Sequence, residues 1–469
     1  MKKMMQWVLA ATLICGASVF TSCSSDTIDN PAQEQSKKNR KEFIEHTRAN
    51  LRDLAENLNF GSWEAANELN MAFNQYVLNN PEFSKAVLLT FMQKMVESIV
   101  PVEEGSELAE KGYKVYATMD FTEFNYRFSM NDENTGFDVE EADNFEVILN
   151  GWNPATQQVE KGNYKVTLKA GGSSFLVFMK GFSDEELAVV GKMPTEFEFA
   201  IATKYSGIWE EGFTGSFKND VSLNGTSQYI ESLTDAFNIS GTITSTIPAR
   251  GGEKGDAATV KFAIGQDAIT HEAGVQLAFI HNGRNILSMR TVMENLNGET
   301  DYSQFTSSMS LVDALINVMA GNNLKEGSLT LLDDLTTTVT ISDCQKAIQV
   351  RQAMNSARRN YADQQTIDQY TQQLNQIITG SMTCKGLNQT IPMKMKTIKF
   401  GVDYTAVPAL NFADENGYVA LTDMLDKESI EYMFNIVDHA ADPMQESLVV
   451  VRQLYQYIKG IASGFQGEE

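Results

Sequence analysis

The chain contains four histidines, His46, His271, His281 and His439, and none stands at metal-ligand spacing from another. "HEAGV" at His271 opens like a helical zinc-protease motif, but Val275 occupies the place of the second histidine. His271 and His281 flank one run of alternating apolar residues. An extended strand would hold them at its opposite ends, too far apart to share an ion. The loop "NDENTGFDVEEAD" (131–143) gathers Asp132, Glu133, Asp138, Glu140, Glu141 and Asp143. Counted from Asn131 as a calcium loop, it has Gly136 at the sixth position but Ala142 where a bidentate glutamate must stand. A solvated acidic loop is therefore expected. There is no G-x-S-x-G elbow, no phosphate-binding G-x-x-x-x-G-K-[ST] and no dinucleotide fingerprint. "AGGSS" (170–174) reads as a turn from one strand to the next. No catalytic residue, metal or cofactor is implied.

Two features keep binding chemistry open. A pair of carboxylates roughly 5–10 Å apart across a cleft can hydrolyse a glycosidic bond, but 61 acidic residues do not single out the pair. Trp152 in "LNGWNPAT" and Trp209 in "SGIWEEGF" could stack on a sugar face if exposed, or pack over a sheet edge if not.

The cysteines separate by place. Cys23 closes an apolar stretch in "SVFTSCSSDTIDNP". Before it, Lys2 and Lys3 are followed by an apolar core from Trp7 to Ile14 and mostly small residues from Gly16 to Ser22. That is the layout of a secretory signal, too short to span a bilayer, which takes roughly 20 residues. With Cys15 inside the signal and Cys23 at its end, Cys344 and Cys384 remain as an even pair. Cys344 reads as the end of a strand and Cys384 as the start of another, with helix between. A disulfide there would close the base of the helical excursion and stabilise by about 3–4 kcal/mol; two buried thiols satisfy the spacing equally.

The segment "SVFTSC" resembles a bacterial lipoprotein signal, of the relaxed kind found in Bacteroidetes, with Phe20 where leucine is commoner. The resemblance implies that Cys23 is acylated and becomes the first residue of the mature chain. Membrane attachment then comes from acyl chains, each buried CH₂ contributing about 0.8 kcal/mol. Asp26 and Asp29 resemble an export signal for the outer face of the outer membrane, which tilts the expectation to the cell surface over the periplasmic face. Residues 327–465, with a helical excursion between strands and then "ALNFADENGYVALTDMLDKESIEYM", are similar in layout to Bacteroidetes lipoproteins of uncharacterised function. That similarity carries no catalytic residue.

Composition limits the partners. The formal charge is −24, and loss of the two signal lysines leaves 35 basic against 61 acidic residues. Such a surface repels phosphate backbones and anionic headgroups, so nucleic acid is excluded and a basic membrane patch is not the anchor. At 42% hydrophobic residues the chain can bury cores, and about 440 mature residues exceed one usual core.

The elements that must position these residues follow from period. Residues 1–22 are signal and 23–40 a polar tether. Residues 41–110 repeat apolar positions three or four apart, ending with Asn80-Pro81 as cap and first position of a helix carrying Val87, Phe91 and Met95. Residues 111–302 alternate with period two, with a break near Thr122 and an Asn282-Gly283 hairpin. Residues 303–469 mix the two: a helix at 305–320, strands at 328–341, a helical insert at 343–380, a strand at 391–404 with a phase slip near Thr397, and helices at 428–441 and 444–462. The expected fold is α+β: N-terminal helices, a large mainly antiparallel sheet as sandwich or open curled sheet, a helical insert and C-terminal helices. The expected role is that of an envelope-anchored, non-enzymatic binding or structural accessory for a glycan or envelope protein. A carboxylate-dependent glycan hydrolase and an adhesin or pilus component are the alternatives.

Overall fold

The computed structural model describes residues 31–57, 80–131, 135–153, 158–182, 186–205, 207–221, 237–249, 255–266, 272–294, 323–400, 402–414 and 417–424, with a few isolated residues besides. Cys23 and the expected helices at 305–320, 428–441 and 444–462 lie outside the described residues, apart from fragments. The helices are α1 (Pro31–Asn57), α2 (Pro81–Glu97), α3 (Glu107–Glu110), α4 (Cys344–Arg359), α5 (Gln364–Ile377) and α6 (Leu421–Met424). The chain divides into two compact units. One comprises 60–269 with 301–311 and 446–469; the other comprises 1–59, 270–300 and 312–445.

The first unit carries β1 (Val100–Pro101), β2 (Val115–Asp120), β3 (Tyr126–Met130), β4 (Phe137–Glu141), β5 (Phe145–Asn153) and β6 (Gln158–Phe182), followed by β7 (Leu187–Tyr205), β8 (Ile208–Val221), β9 (Tyr229–Ile230), β10 (Phe237–Ile247) and β11 (Asp256–Gln266). Antiparallel ladders run β5–β6–β7–β8–β10–β11. Parallel pairs β2–β7, β3–β5 and β6–β9 make the sheet mixed. The long β6 keeps pairing with β7 through two register shifts, at Gly171/Ser174 and Phe178/Lys180. "AGGSS" is thus a bulge inside one strand, and the expected turn there is corrected: Gly172, at φ +71°, takes up the extra residue. Further along, the Phe199, Phe217 and Phe262 rings lie in a row across the ladder. Phe199 covers Gly215, where any Cβ would run into the ring.

Helix α2 forms because Asn80 caps it, its side chain accepting from the Glu82 and Phe83 N–H groups, and Pro81 needs no partner at the first turn. Its buried stripe, Phe83, Val87, Phe91 and Met95, faces the sheet. Phe83 meets Phe128, Phe137 and Phe145 edge-on at 5.5, 5.1 and 6.5 Å. Each such buried side chain contributes about 1.5–3 kcal/mol.

The second unit is a sequential antiparallel meander: β12 (Glu272–His281), β13 (Arg284–Glu294), β14 (Asn323–Leu331), β15 (Leu335–Ile341), β16 (Ile378–Cys384), β17 (Gln389–Phe400), β18 (Asp403–Asn411) and β19 (Tyr418–Ala420). Asn282 and Gly283, at φ +49° and +80°, make the expected hairpin turn. The hairpin α4–α5 is inserted between β15 and β16. Helix α1 lays Phe43 on Leu335, Met382, Cys384, Met393 and Leu410, while Ile367, Leu374 and Ile377 of α5 pack around Ala406 and Met395. Met393 and Met395 share one face of β17, as Leu410 and Ala406 do of β18, so α1 and the helical hairpin cover the same face of this meander side by side.

Several expectations are corrected. The balanced α+β architecture gives way to a sheet-dominated fold: β1 to β19 stand against four helices longer than a single turn among the described residues. Strands as long as β6 and β7 absorb chain that shorter hairpins would have left to loops and helices. Residues 31–40, read as tether, belong to α1. The phase slip near Thr397 is absent, since β17 and β18 pair without interruption from Met393↔Leu410 to Phe400↔Asp403.

Candidate functional site

In the first unit, the C-terminal half of α2 and strands β2 and β3 enclose a groove of about 540 Å³. Its floor is apolar: Phe91 and Phe124 stack with ring centroids 3.6 Å apart and planes 4° off parallel, beside Met95 and Met119. The break between β2 and β3, expected near Thr122, turns Phe124 inward and leaves Glu123 and Asn125 on the groove lining. Ser98 pins the helix end to β2, its hydroxyl accepting from the Thr118 N–H at 2.9 Å.

The rim is polar and mostly acidic. Glu97, Asp120, Glu123 and Glu141 line it with Lys94 and Tyr126. Asp120 accepts from Lys192 at 2.6 Å, from the Thr122 N–H at 2.8 Å and from the Thr122 hydroxyl at 2.5 Å. Burial pushes its carboxyl upward, but the bonds from Lys192 and Thr122 outweigh that and hold it below the usual range. Lys94 donates to Glu97 at 3.2 Å, and its bonds with Glu97 and Tyr126 raise its ammonium above the ordinary value. The groove can therefore accept hydrogen bonds from hydroxyl or ammonium groups and disfavours anions.

Trp209 is not among the residues that line this groove. Trp209 pairs with Lys204 near the β7–β8 turn, where Lys165 and Lys204 sit over its ring at 5.0 and 5.6 Å from the centroid. Two lysines thus lie against the ring for which sugar stacking and packing were the two readings. Trp152 pairs with Val159 at the end of β5, and its side chain lies outside the described residues. In the acidic loop, residues 137–141 form β4, where Glu140 accepts from Arg127 at 2.9 Å.

Cys344 and Cys384 are thiols, not a disulfide. Leu335 pairs with Cys384 at one end of the β15–β16 ladder and Ile341 pairs with Ile378 at the other. Cys344 follows Ile341, so a ladder of about 20 Å separates the two cysteines, against the roughly 7 Å that a bridge allows between Cα atoms. Cys344 also opens a helix, with Asp343 as its cap.

The second unit brings together residues that no sequence spacing connects. The β14–β15 turn carries Leu332 and Asp333 at φ +56° each and aims the next residue, Asp334, at α1. His46 Nε2 donates to Asp334 Oδ2 at 2.6 Å, because an ionised carboxylate only accepts. Asn50, one turn along the same helix face, donates to the same oxygen at 2.5 Å. From the β16–β17 turn, the Gly386 N–H donates to Oδ1 at 2.6 Å and the Lys385 N–H to the Asp334 carbonyl at 2.9 Å. The Cys384 thiol faces both carboxylate oxygens at 3.8 and 3.9 Å. Burial pushes Asp334 upward, and the bonds from Gly386, His46 and Asn50 together bring it below the usual range. Burial, with the Asp334 charge behind it, raises the Cys384 thiol. His46 and Asp334 are 288 positions apart, so the only local signal was the cysteine itself.

No family model, curated protein or solved structure matches the chain.

Proposed function

We propose that this protein is a lipid-anchored protein of the bacterial outer envelope that binds a neutral, hydroxyl-rich ligand of the glycan class in the groove between α2 and β2–β3. The observation that carries the binding part is the lining itself: four carboxylates and one ammonium around an aromatic floor. Carboxylates, Asn125 and Ser98 suit sugar hydroxyls, Tyr126 offers a ring, and the acidic surround turns phosphorylated or sulfated ligands away. The anchoring part rests on Cys23 at the end of the apolar signal core. Among the described residues no helix is long and apolar enough to cross a membrane. Hydrolysis is the weaker reading of the same groove. A general acid needs a carboxyl raised toward neutrality, and Asp120 is held low by Lys192.

Native mass spectrometry of protein extracted gently from its own membranes tests both parts. Mass in excess of the polypeptide, lost in Cys23→Ser, establishes the anchor; its absence removes it. Titration of neutral, cationic and anionic oligosaccharides is then followed by isothermal titration calorimetry. Neutral sugars must bind, and Tyr126→Ala must weaken them by about tenfold, close to the 1.4 kcal/mol of one ring contact. Release of reducing ends during the titration would replace binding by hydrolysis.

A further inference from the structure

We propose that His46, Asp334 and Cys384 form a binding site for a single zinc-like divalent transition-metal ion, a site independent of the groove. An imidazole nitrogen, a carboxylate oxygen and a sulfur are brought within 4.8 Å of one another from three separate elements. These are three of the donor types that zinc takes, and a thiol with an imidazole argues against calcium or magnesium.

The distances suit the ion after a small adjustment. Bonds of about 2.0–2.3 Å in tetrahedral geometry set ligand atoms roughly 3.3–3.8 Å apart. The sulfur already stands 3.8 and 3.9 Å from the carboxylate oxygens. The 2.6 Å contact from His46 to Asp334 must open and the three donors, now within 4.8 Å of one another, must draw in around the ion, which rotation of the His46 side chain on the helix surface supplies. On binding, the Cys384 thiol proton leaves to solvent as the metal–sulfur bond forms. The Nε2–H···Oδ2 bond breaks, and His46 gives up its Nε2 proton to solvent, so that Nε2 and Oδ2 bind the ion while the neutral ring carries its one proton on Nδ1.

The surroundings resemble the support that metal-ligating carboxylates require. Asp334 is oriented by Gly386 N–H and Asn50 without use of its His46 bond. A Cβ at position 386 would stand 3.1 Å from Asp334 Oδ1 and 3.2 Å from the His46 ring, so glycine keeps the space between them clear. Cys384 is fully buried, whereas the His46 and Asp334 side chains are 32% and 18% exposed. An ion therefore enters past His46, and that side leaves the fourth coordination position to water or a further ligand.

The test uses the full chain purified in detergent, stripped with a chelator and titrated with Zn²⁺ and with Co²⁺ as a spectroscopic probe. The expected result is one equivalent of zinc per chain, and with cobalt a near-ultraviolet thiolate-to-metal band. Cys384→Ser must abolish the band and weaken zinc by more than tenfold, while Cys344→Ser leaves both unchanged. Asn50→Ala must retain the band and weaken zinc about 10–100-fold, as removal of a supporting partner does. Absence of the band from the wild-type protein overturns the proposal, and so does its survival in Cys384→Ser. Should Cys384→Ser not fold, His46→Gln decides, since its substituted side chain lies on the half-exposed edge and must also lose the zinc equivalent.

Discussion

The Gly386 N–H lies 2.6 Å from Asp334 Oδ1, and the neighbouring Lys385 N–H lies 2.9 Å from the Asp334 carbonyl oxygen. The turn after β16 is thus fastened to the turn before β15 by one residue, through both its backbone and its side chain. Because His46 and Asn50 bond the other carboxylate oxygen, helix α1 is tied to the same point. Asp334 is the place where a helix and two hairpin turns of this unit are held together.

Acid should loosen this point. The folded Asp334 carboxyl lies below its ordinary value. Its contribution to stability is therefore complete above about pH 4, the unfolded value, and is lost as pH falls through the folded one. Asp120 shares the direction. In Asp334→Asn, urea denaturation at pH 7 with chelator present should show a loss of about 1–3 kcal/mol, the cost of leaving a part-buried donor unmatched. The difference from wild type should shrink as pH is taken below 4. A difference that stays constant down to pH 2 would mean that the charge does not matter.

The groove floor should be structural as well as receptive. Phe124 stacks on Phe91 at 3.6 Å and is itself 8% exposed. Phe124→Ala should cost about 3–5 kcal/mol, whereas Tyr126→Ala on the rim should cost less than 1.5 kcal/mol and act on ligand. Equal losses of stability in the two variants would show that the rim is part of the core.

Local elements were legible where their chemistry is local. Asn80-Pro81 starts a helix because capping involves only the next three residues, and Asn282-Gly283 makes a hairpin because positive φ is a property of those two residues. Fold class was less legible, because β6 continues through a bulge at Gly171-Gly172, where the sequence reads as a turn between two strands. The groove could not be seen, since its acids are spread over α2, β2, the loop after it and β4 among 61 acidic residues. Nor could the cluster at Asp334: His46 has no companion in sequence, and its partners arrive only when the meander closes beneath α1.

The two buried thiols should behave as separate groups. Without reductant, unfolded protein should take up alkylating reagent at both Cys344 and Cys384, and reductant should leave the denaturation midpoint unchanged. The reason is the uninterrupted β15–β16 ladder between them, from Leu335↔Cys384 to Ile341↔Ile378. A mass two hydrogens short with neither cysteine labelled would require that ladder to be rebuilt.

Thr397 looked like the point where β17 changes phase, because Ile398 and Phe400 follow on the other alternation. Its hydroxyl lies 2.9 Å from that of Thr371 on α5, and Thr371 also donates to the Ile367 carbonyl at 2.9 Å. A polar residue thus takes an inward position because a helix brings it a partner. Thr371→Val should cost about 1 kcal/mol by leaving Thr397 without that partner. Thr397→Val should cost less, because Thr371 keeps its bond to Ile367. The double variant should be more stable than the sum of the two single losses, with a coupling of about 0.5–1 kcal/mol. Strict additivity in chemical denaturation would mean that the two hydroxyls do not depend on each other, and that shape alone keeps β17 in register beneath α5.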